Sequence, residues 1–309
     1  MSAALIAARF VHFAAGMILF GSSLFALYAG IGRQAGAAAA DHRTGLRIAR
    51  LQRWCALASL IGSAGWFACV AAEMAGRPED AFDGETLQLV LFETHFGAVW
   101  QIELALAVLI VAVIWLPGPF RRRFSHPGFV LVVSAGLLIG AAAAGHAAMD
   151  TGPAGALHIA VDALHLLAAA AWLGGLVPLG FVLRRSLDGS LARHCLARFS
   201  SMGVGAACVL VSSGLPNAWL LVGSRAEDVF ATEWGRMLAL KLTLVATLLA
   251  IAAVNRLRLA PRVTSQSPFD APAALSALIR NVAVEQALGV LILAVASALG
   301  TLPPPLGAG

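Results

Sequence analysis

Polar positions in this chain are gathered into short breaks between long apolar runs. Within the runs the apolar residues form neither stripes at helical spacing nor the strict alternation of a half-buried strand. A membrane-crossing helix needs about 20 mainly apolar residues, whereas strands of a membrane barrel alternate over about 10. Eight runs qualify as helical spans, at about 5–30, 51–73, 87–116, 128–149, 155–183, 199–222, 233–255 and 275–300. The longest connections between them are about 20 residues, too short for a soluble domain. The pattern predicts an all-α polytopic membrane protein, a bundle of about eight transmembrane helices forming a single domain over 1–309.

Composition agrees. Of 309 residues, 60% are hydrophobic and 12% charged, against about 25% charged in a soluble domain; mean hydropathy is +0.84. The opening MSAALIAARFVHF lacks a basic segment ahead of its apolar run, so it reads as the first span rather than a signal peptide. The four cysteines, Cys55, Cys69, Cys195 and Cys208, form no CxxC pair and read as small buried apolar residues.

Charge sets the orientation. Arg33, Arg43, Arg47, Arg50 and Arg53 follow span 1, and Arg121, Arg122 and Arg123 follow span 3. Arg184, Arg185, Arg193 and Arg198 follow span 5, and Arg256, Arg258, Arg262 and Arg280 follow span 7. These segments hold 16 of the 21 basic residues but only Asp41, Asp188 and Asp270 among the acids. By the positive-inside rule they face the cytoplasm, which puts both termini in the periplasm. The same distribution argues against nucleic acid as partner, although the pI is near 9.7.

Five histidines then share the outer half of the membrane. His12 and His95 fall about two turns into spans 1 and 3, His146 ends span 4, and His158 begins span 5, with His165 about 10 Å deeper. His42, His126 and His194 fall in basic cytoplasmic loops. His158, Asp162 and His165 stand at i, i+4 and i+7, and His146, Met149 and Asp150 at i, i+3 and i+4, each set on one helical face. Polar groups are costly in lipid, so these faces should look into the bundle, where single histidines can serve as interhelical hydrogen-bond partners. Their convergence at one depth points to metal ligation, heme ligation or a proton path. Imidazole suits copper, zinc, iron and nickel, and a thioether such as Met149 favours Cu(I). Met17, Met74 and Met237 also fall in or near the outer half. Lys241 and Glu285 lie near the middle of spans 7 and 8 and could pair; Glu103 in span 3 has no evident partner. These three and Asp162 are candidates for proton or ion coupling. The acidic segment with Glu73, Glu79, Asp80, Asp83 and Glu85 reads as a solvated outer loop that can also concentrate cations modestly. Dinucleotide, phosphate-loop and HExxH motifs are missing and no motif places a nucleophile, so the expectation is not an enzyme.

The residues also carry a family likeness. DALHLLAAAAWLGGLVPL at 162–179, ARFSSMGVGAACVLVSSGLPNAWL at 197–220, EWGRMLALKLTLVATLLAIAAVNRLRLAP at 233–261 and RNVAVEQALGVLILAVASALGTLPP at 280–304 resemble the copper resistance D (CopD) family of bacterial inner-membrane proteins. The similarity is most specific over 145–304; residues 1–140 match more loosely, through His12 and the span count. His146, His165, Lys241, Asn255 and Glu285 match the family pattern. The resemblance implies a multi-pass protein of the bacterial inner membrane that moves copper, as Cu(I) or Cu(II), from periplasm toward cytoplasm beside a periplasmic CopC-like copper-binding partner. On this reading His146, His158 and His165, with His12 or His95 and Met149, take the ion. Two other readings stay open: a b-type heme protein transferring electrons, with iron between histidines of facing helices, and a non-transporting docking subunit for a periplasmic copper chaperone.

Overall fold

The computed structural model describes residues 2–31, 39–116, 126–145, 152–184, 190–222, 229–264 and 271–303. Every regular element among them is helical. α1 is Ser2–Ala29 and α2 Ala39–Ala75. A short turn of 3-10 helix, Pro78–Phe82, leads to α3, Gly84–Glu93, and α4, His95–Trp115. α5 is Pro127–Ala143. α6, Gly152–Ala169, passes through a π-helical turn, Ala170–Gly174, into α7, Gly175–Leu183. α8 is Ser190–Val222. α9, Glu233–Val254, passes through a second π-helical turn, Asn255–Leu259, into α10, Ala260–Thr264; α11, Ala271–Leu299, follows. Among the described residues, seven continuous helical stretches are long and apolar enough to cross a membrane, and the 17-residue α5 is a shorter apolar helix beside them. The eight expected spans are therefore helical where described, apart from a break in the third.

Two features depart from the sequence expectation. The third span is not continuous. Thr94 leaves helical geometry at φ −119° and ψ 152°. Its hydroxyl donates to the Val90 carbonyl at 2.6 Å and accepts from the Gly97 N–H at 2.9 Å. Gly97 lies against the Val90 and Leu91 carbonyls so closely that a Cβ would collide with them. The helix thus ends and restarts with Thr94 as its N-cap. The basic segments are also more helical than loops. Arg43, Arg47, Arg50 and Arg53 ride on α2, whose 37 residues span about 55 Å against a hydrocarbon core of about 30 Å. On that side Trp115 donates to the Arg53 carbonyl at 3.2 Å and meets Trp54 edge-on at 6.1 Å, as expected of interfacial aromatics.

α1 is the seam of the bundle. One core cluster joins it to α2, α4 and α5 through Phe13, Met17, Trp66, Trp100 and Leu138; another joins it to α7, α8 and α11 through Phe25, Leu176, Leu179, Cys195 and Leu278. Close approach at the centre requires glycine. A Cβ on Gly21 would run into the Ala170 carbonyl and the Gly174–Gly175 peptide, and one on Gly174 into the Met17 carbonyl. Each π-helical turn lies just before a proline, Pro178 or Pro261, whose missing N–H takes a rung from the helical ladder.

Candidate functional sites within the membrane

Among the described residues, most of the sequence-predicted ones fall in three polar centres. The first joins His12 to Glu103. They are 1% and 0% exposed, with Nε2 and Oε1 2.8 Å apart. His12 Nδ1 lies 3.3 Å from the Ser59 carbonyl, which can only accept, so this nitrogen is the donor. One proton on the Nε2···Oε1 axis then joins imidazole to carboxyl. Trp66 meets the His12 ring edge-on at 5.8 Å and Trp100 lies at 6.5 Å; the Trp100 N–H donates to the Ser63 carbonyl at 3.1 Å. Gly140 lies directly against Glu103 Oε2, and Gly62 packs on the His12 backbone. Both ring nitrogens of His12 are engaged, and the partner of Glu103 that the sequence did not reveal is His12. Four elements enforce the contact, and no spacing within one helix could signal it.

The second centre is the α6 face. His158 is 4% exposed, and Asp162 and His165 are half-buried. Asn217 of α8 donates to Asp162 Oδ1 at 3.1 Å. His165 Nδ1 lies 3.1 Å from Ser213 Oγ, whose own hydrogen goes to the Val209 carbonyl at 2.6 Å. Ser213 is therefore the acceptor and His165 carries its proton on Nδ1, which leaves the Nε2 lone pair for a metal ion. Gly214 gives the ring its space: a Cβ there would stand 3.2 Å from His165 Cε1. Asp162 interacts electrostatically with Lys241 of α9, His158 one turn away and Arg9 of α1. Arg9 lies over the Trp66 ring at 4.4 Å. As the one charge inside the first apolar run, it is a sequence signal that the histidine pattern overshadowed.

The third centre surrounds Glu285. Asn255 donates to Glu285 Oε1 at 3.1 Å, and Asn281 donates to Asn255 Oδ1 at 2.8 Å. In place of the anticipated Lys241–Glu285 pair, Glu285 is bonded to Asn255, and the acid whose charge acts on Lys241 is Asp162. Lys241 and Asn255 share one continuous helical stretch, 14 residues or about 21 Å apart along the axis. The helical stretch runs on past Val254 to Thr264, so Lys241 is not at its middle and the two levels differ.

His95 opens α4 and is exposed, not two turns inside a span, because of the break at Thr94. His146, Met149 and Asp150 lie outside the described residues. Met17 is buried, Met237 half-buried and Met74 exposed. Among the described residues no three His, Cys, Asp or Glu side chains gather as a metal cluster, and the four cysteines are free thiols. Outside the membrane, Asp83 caps α3 by accepting the Thr86 N–H at 2.8 Å, which holds its carboxyl below the usual aspartate range.

Residues 1–156 match the family of the copper resistance protein D-like N-terminal domain, and residues 193–299 match the copper resistance protein D family. The chain is 34% identical to inner membrane protein YebZ of Escherichia coli (strain K12), over 97% of this chain and 98% of that protein. It is 29% identical to copper resistance protein D of Pseudomonas syringae pv. tomato, over 98% of each. Copper transport protein CutJ of Bacillus subtilis (strain 168) is 30% identical over 76% of this chain, which covers 42% of that longer protein. No solved structure matches the chain. The chain belongs to the copper resistance protein D family and is a multi-pass inner-membrane protein.

Proposed function

With that family as premise, we propose that the protein handles copper at the inner membrane. It takes the ion from the periplasmic side at the α6 face and moves it toward the cytoplasm. The observation that carries the reading is the contact of His165 Nδ1 with Ser213, whose bond to the Val209 carbonyl favours the Nδ1–H tautomer. The His165 Nδ1–H is spent on Ser213, so Nε2 presents a lone pair on the same helical face as His158 and Asp162. Imidazole suits either oxidation state of copper, and an orienting hydrogen bond on the other ring nitrogen is usual for a metal-binding histidine. The relatives named for copper resistance and copper transport support copper as the cargo. His146 and Met149 complete the ligand set on this reading, while His12 serves with Glu103 as a proton-holding pair rather than as a ligand. Asp162 balances the charge of Lys241, Arg9 and the incoming ion. Glu285 with Asn255 forms a second polar level on the way inward. The periplasmic donor is a CopC-like copper-binding protein, and both termini face it.

The test is a copper titration of the protein in lipid nanodiscs. Wild type binds copper, and His165→Ala loses most of the affinity while eluting as a folded particle. Unchanged affinity in that variant removes His165 from the site. Iron in place of copper, with a heme absorption band, turns the protein into an electron-transfer module.

A further inference from the structure

α8 packs on α6, and α9 packs on α11, but α8 and α9 barely touch although they are consecutive in sequence. α9 with its continuation is also the least buried of the long spans. Between α8 and α9, toward the arginine-rich end, lies a cavity of about 240 Å³, roughly eight water volumes. Phe199, Gly203 and Ala207 of α8 line one side, Leu249 and Ala252 of α9 the other, and Glu285 stands in the back wall. Apart from Ser200, Asn255, Arg256 and Glu285 its lining is apolar, so the greater part of it suits hydrocarbon in a bilayer.

Its mouth is built differently. Arg256, on the second π-helical turn, reaches across to α8 and donates through Nη1 to the Ser200 carbonyl and hydroxyl, at 2.7 Å each. This clasp uses the two Nη1 hydrogens and fixes the guanidinium plane. The Nε–H and Nη2 hydrogens remain as the fork that suits a phosphate. Arg198 of α8, Arg258 of the same turn and Arg262 beyond it are exposed on the same side of the bundle.

We propose that the gap between α8 and α9 is a binding site for an anionic phospholipid of the arginine-rich leaflet. Its phosphate sits on Arg256 and one acyl chain lies between Gly203 and Ala252. Part of the chain covers the Asn255–Glu285 pair, closing that carboxyl off from the membrane side. The site is independent of copper and does not rest on the transport reading.

The experiment is native mass spectrometry of protein released from nanodiscs of equimolar phosphatidylglycerol and phosphatidylcholine. Wild type retains phosphatidylglycerol about fivefold over phosphatidylcholine, the preference expected of one basic residue at the leaflet surface. Arg256→Gln brings the two lipids close to parity. Gly203→Leu, at a position where an added methyl would have no neighbour closer than 4.0 Å, fills the gap and lowers retention of both. Thermal melting of each variant checks that it is folded, and Arg256→Gln, at an exposed position, decides alone should Gly203→Leu fail to fold. Wild-type lipid preference in Arg256→Gln, or equal retention of the two lipids by wild type, overturns the proposal.

Discussion

Glu103→Ala is the sharpest test of the packing around α1. The carboxyl is fully buried, 2.8 Å from His12 Nε2. Removing one partner of a buried pair leaves the other desolvated and unmatched, at a cost of about 3–5 kcal/mol. Glu103→Gln keeps the shape and lets an amide N–H donate to Nε2, so it costs only about 1 kcal/mol, the worth of an ordinary hydrogen bond. Gly140 supplies a second handle. A methyl there collides with Glu103 Oε2, and overpacking of this kind costs about 1–3 kcal/mol. Once Glu103→Ala has vacated the space, Gly140→Ala should cost far less. The assay is reversible unfolding in mixed detergent micelles, with the four proteins of the Glu103→Ala and Gly140→Ala cycle measured together. The expected order is wild type, Glu103→Gln, Glu103→Ala, with strong non-additivity in the cycle. Costs that add to within about 0.5 kcal/mol would mean that Gly140 and Glu103 do not meet. A Glu103→Ala protein as stable as wild type would dissolve the pair.

Other consequences are as direct. Gly174→Ala puts a methyl into the Met17 carbonyl where α1 crosses the first π-helical turn, so the yield of monodisperse protein in size-exclusion chromatography should fall sharply; an unchanged yield contradicts the close crossing. Ser213→Ala removes the acceptor that orients His165, and copper affinity in equilibrium dialysis should drop by about 10–100-fold, the usual effect of losing an orienting partner. Asn255→Ala leaves Glu285 Oε1 and Asn281 Nδ2 without their partner, costing about 1–3 kcal/mol in the unfolding assay, with copper binding at the α6 face retained. The Asp83 cap gives a pH signature. Its carboxyl is held below the usual range by the Thr86 N–H, so the cap is intact above the ordinary aspartate value and is lost as pH falls through the lowered one. Amide exchange, corrected for intrinsic rate, should show α3 protection steady at neutral pH and weakening only in that acid range; in Asp83→Ala the protection should be weak throughout.

The spans were legible because burial in lipid needs only length and apolarity, and those are local properties. The break at Thr94 was not, because it depends on Gly97 packing against two carbonyls of the preceding turn rather than on any proline or charge. The α6 face was readable from the i, i+4, i+7 spacing of His158, Asp162 and His165, and its partners Ser213 and Asn217 repeat that logic on α8 at i, i+4. Pairings between helices were the part that sequence could not supply. His12 meets Glu103 across 91 positions, and Glu285 is taken by Asn255, about 21 Å along the helix from Lys241. Arg9 was within reach of the sequence, since it is a charge inside an apolar run just as Glu103, Lys241 and Glu285 are.

The central claim is that α6 presents the copper site. The measurement that tests it most directly is copper bound per chain, by elemental analysis of nanodisc-embedded protein after dialysis against buffered copper. Wild type, Glu103→Gln and a His158→Ala/His165→Ala double variant are compared. The account predicts copper stoichiometric with the chain in wild type and in Glu103→Gln, and loss of that copper in the double variant. Full copper occupancy in the double variant would contradict it.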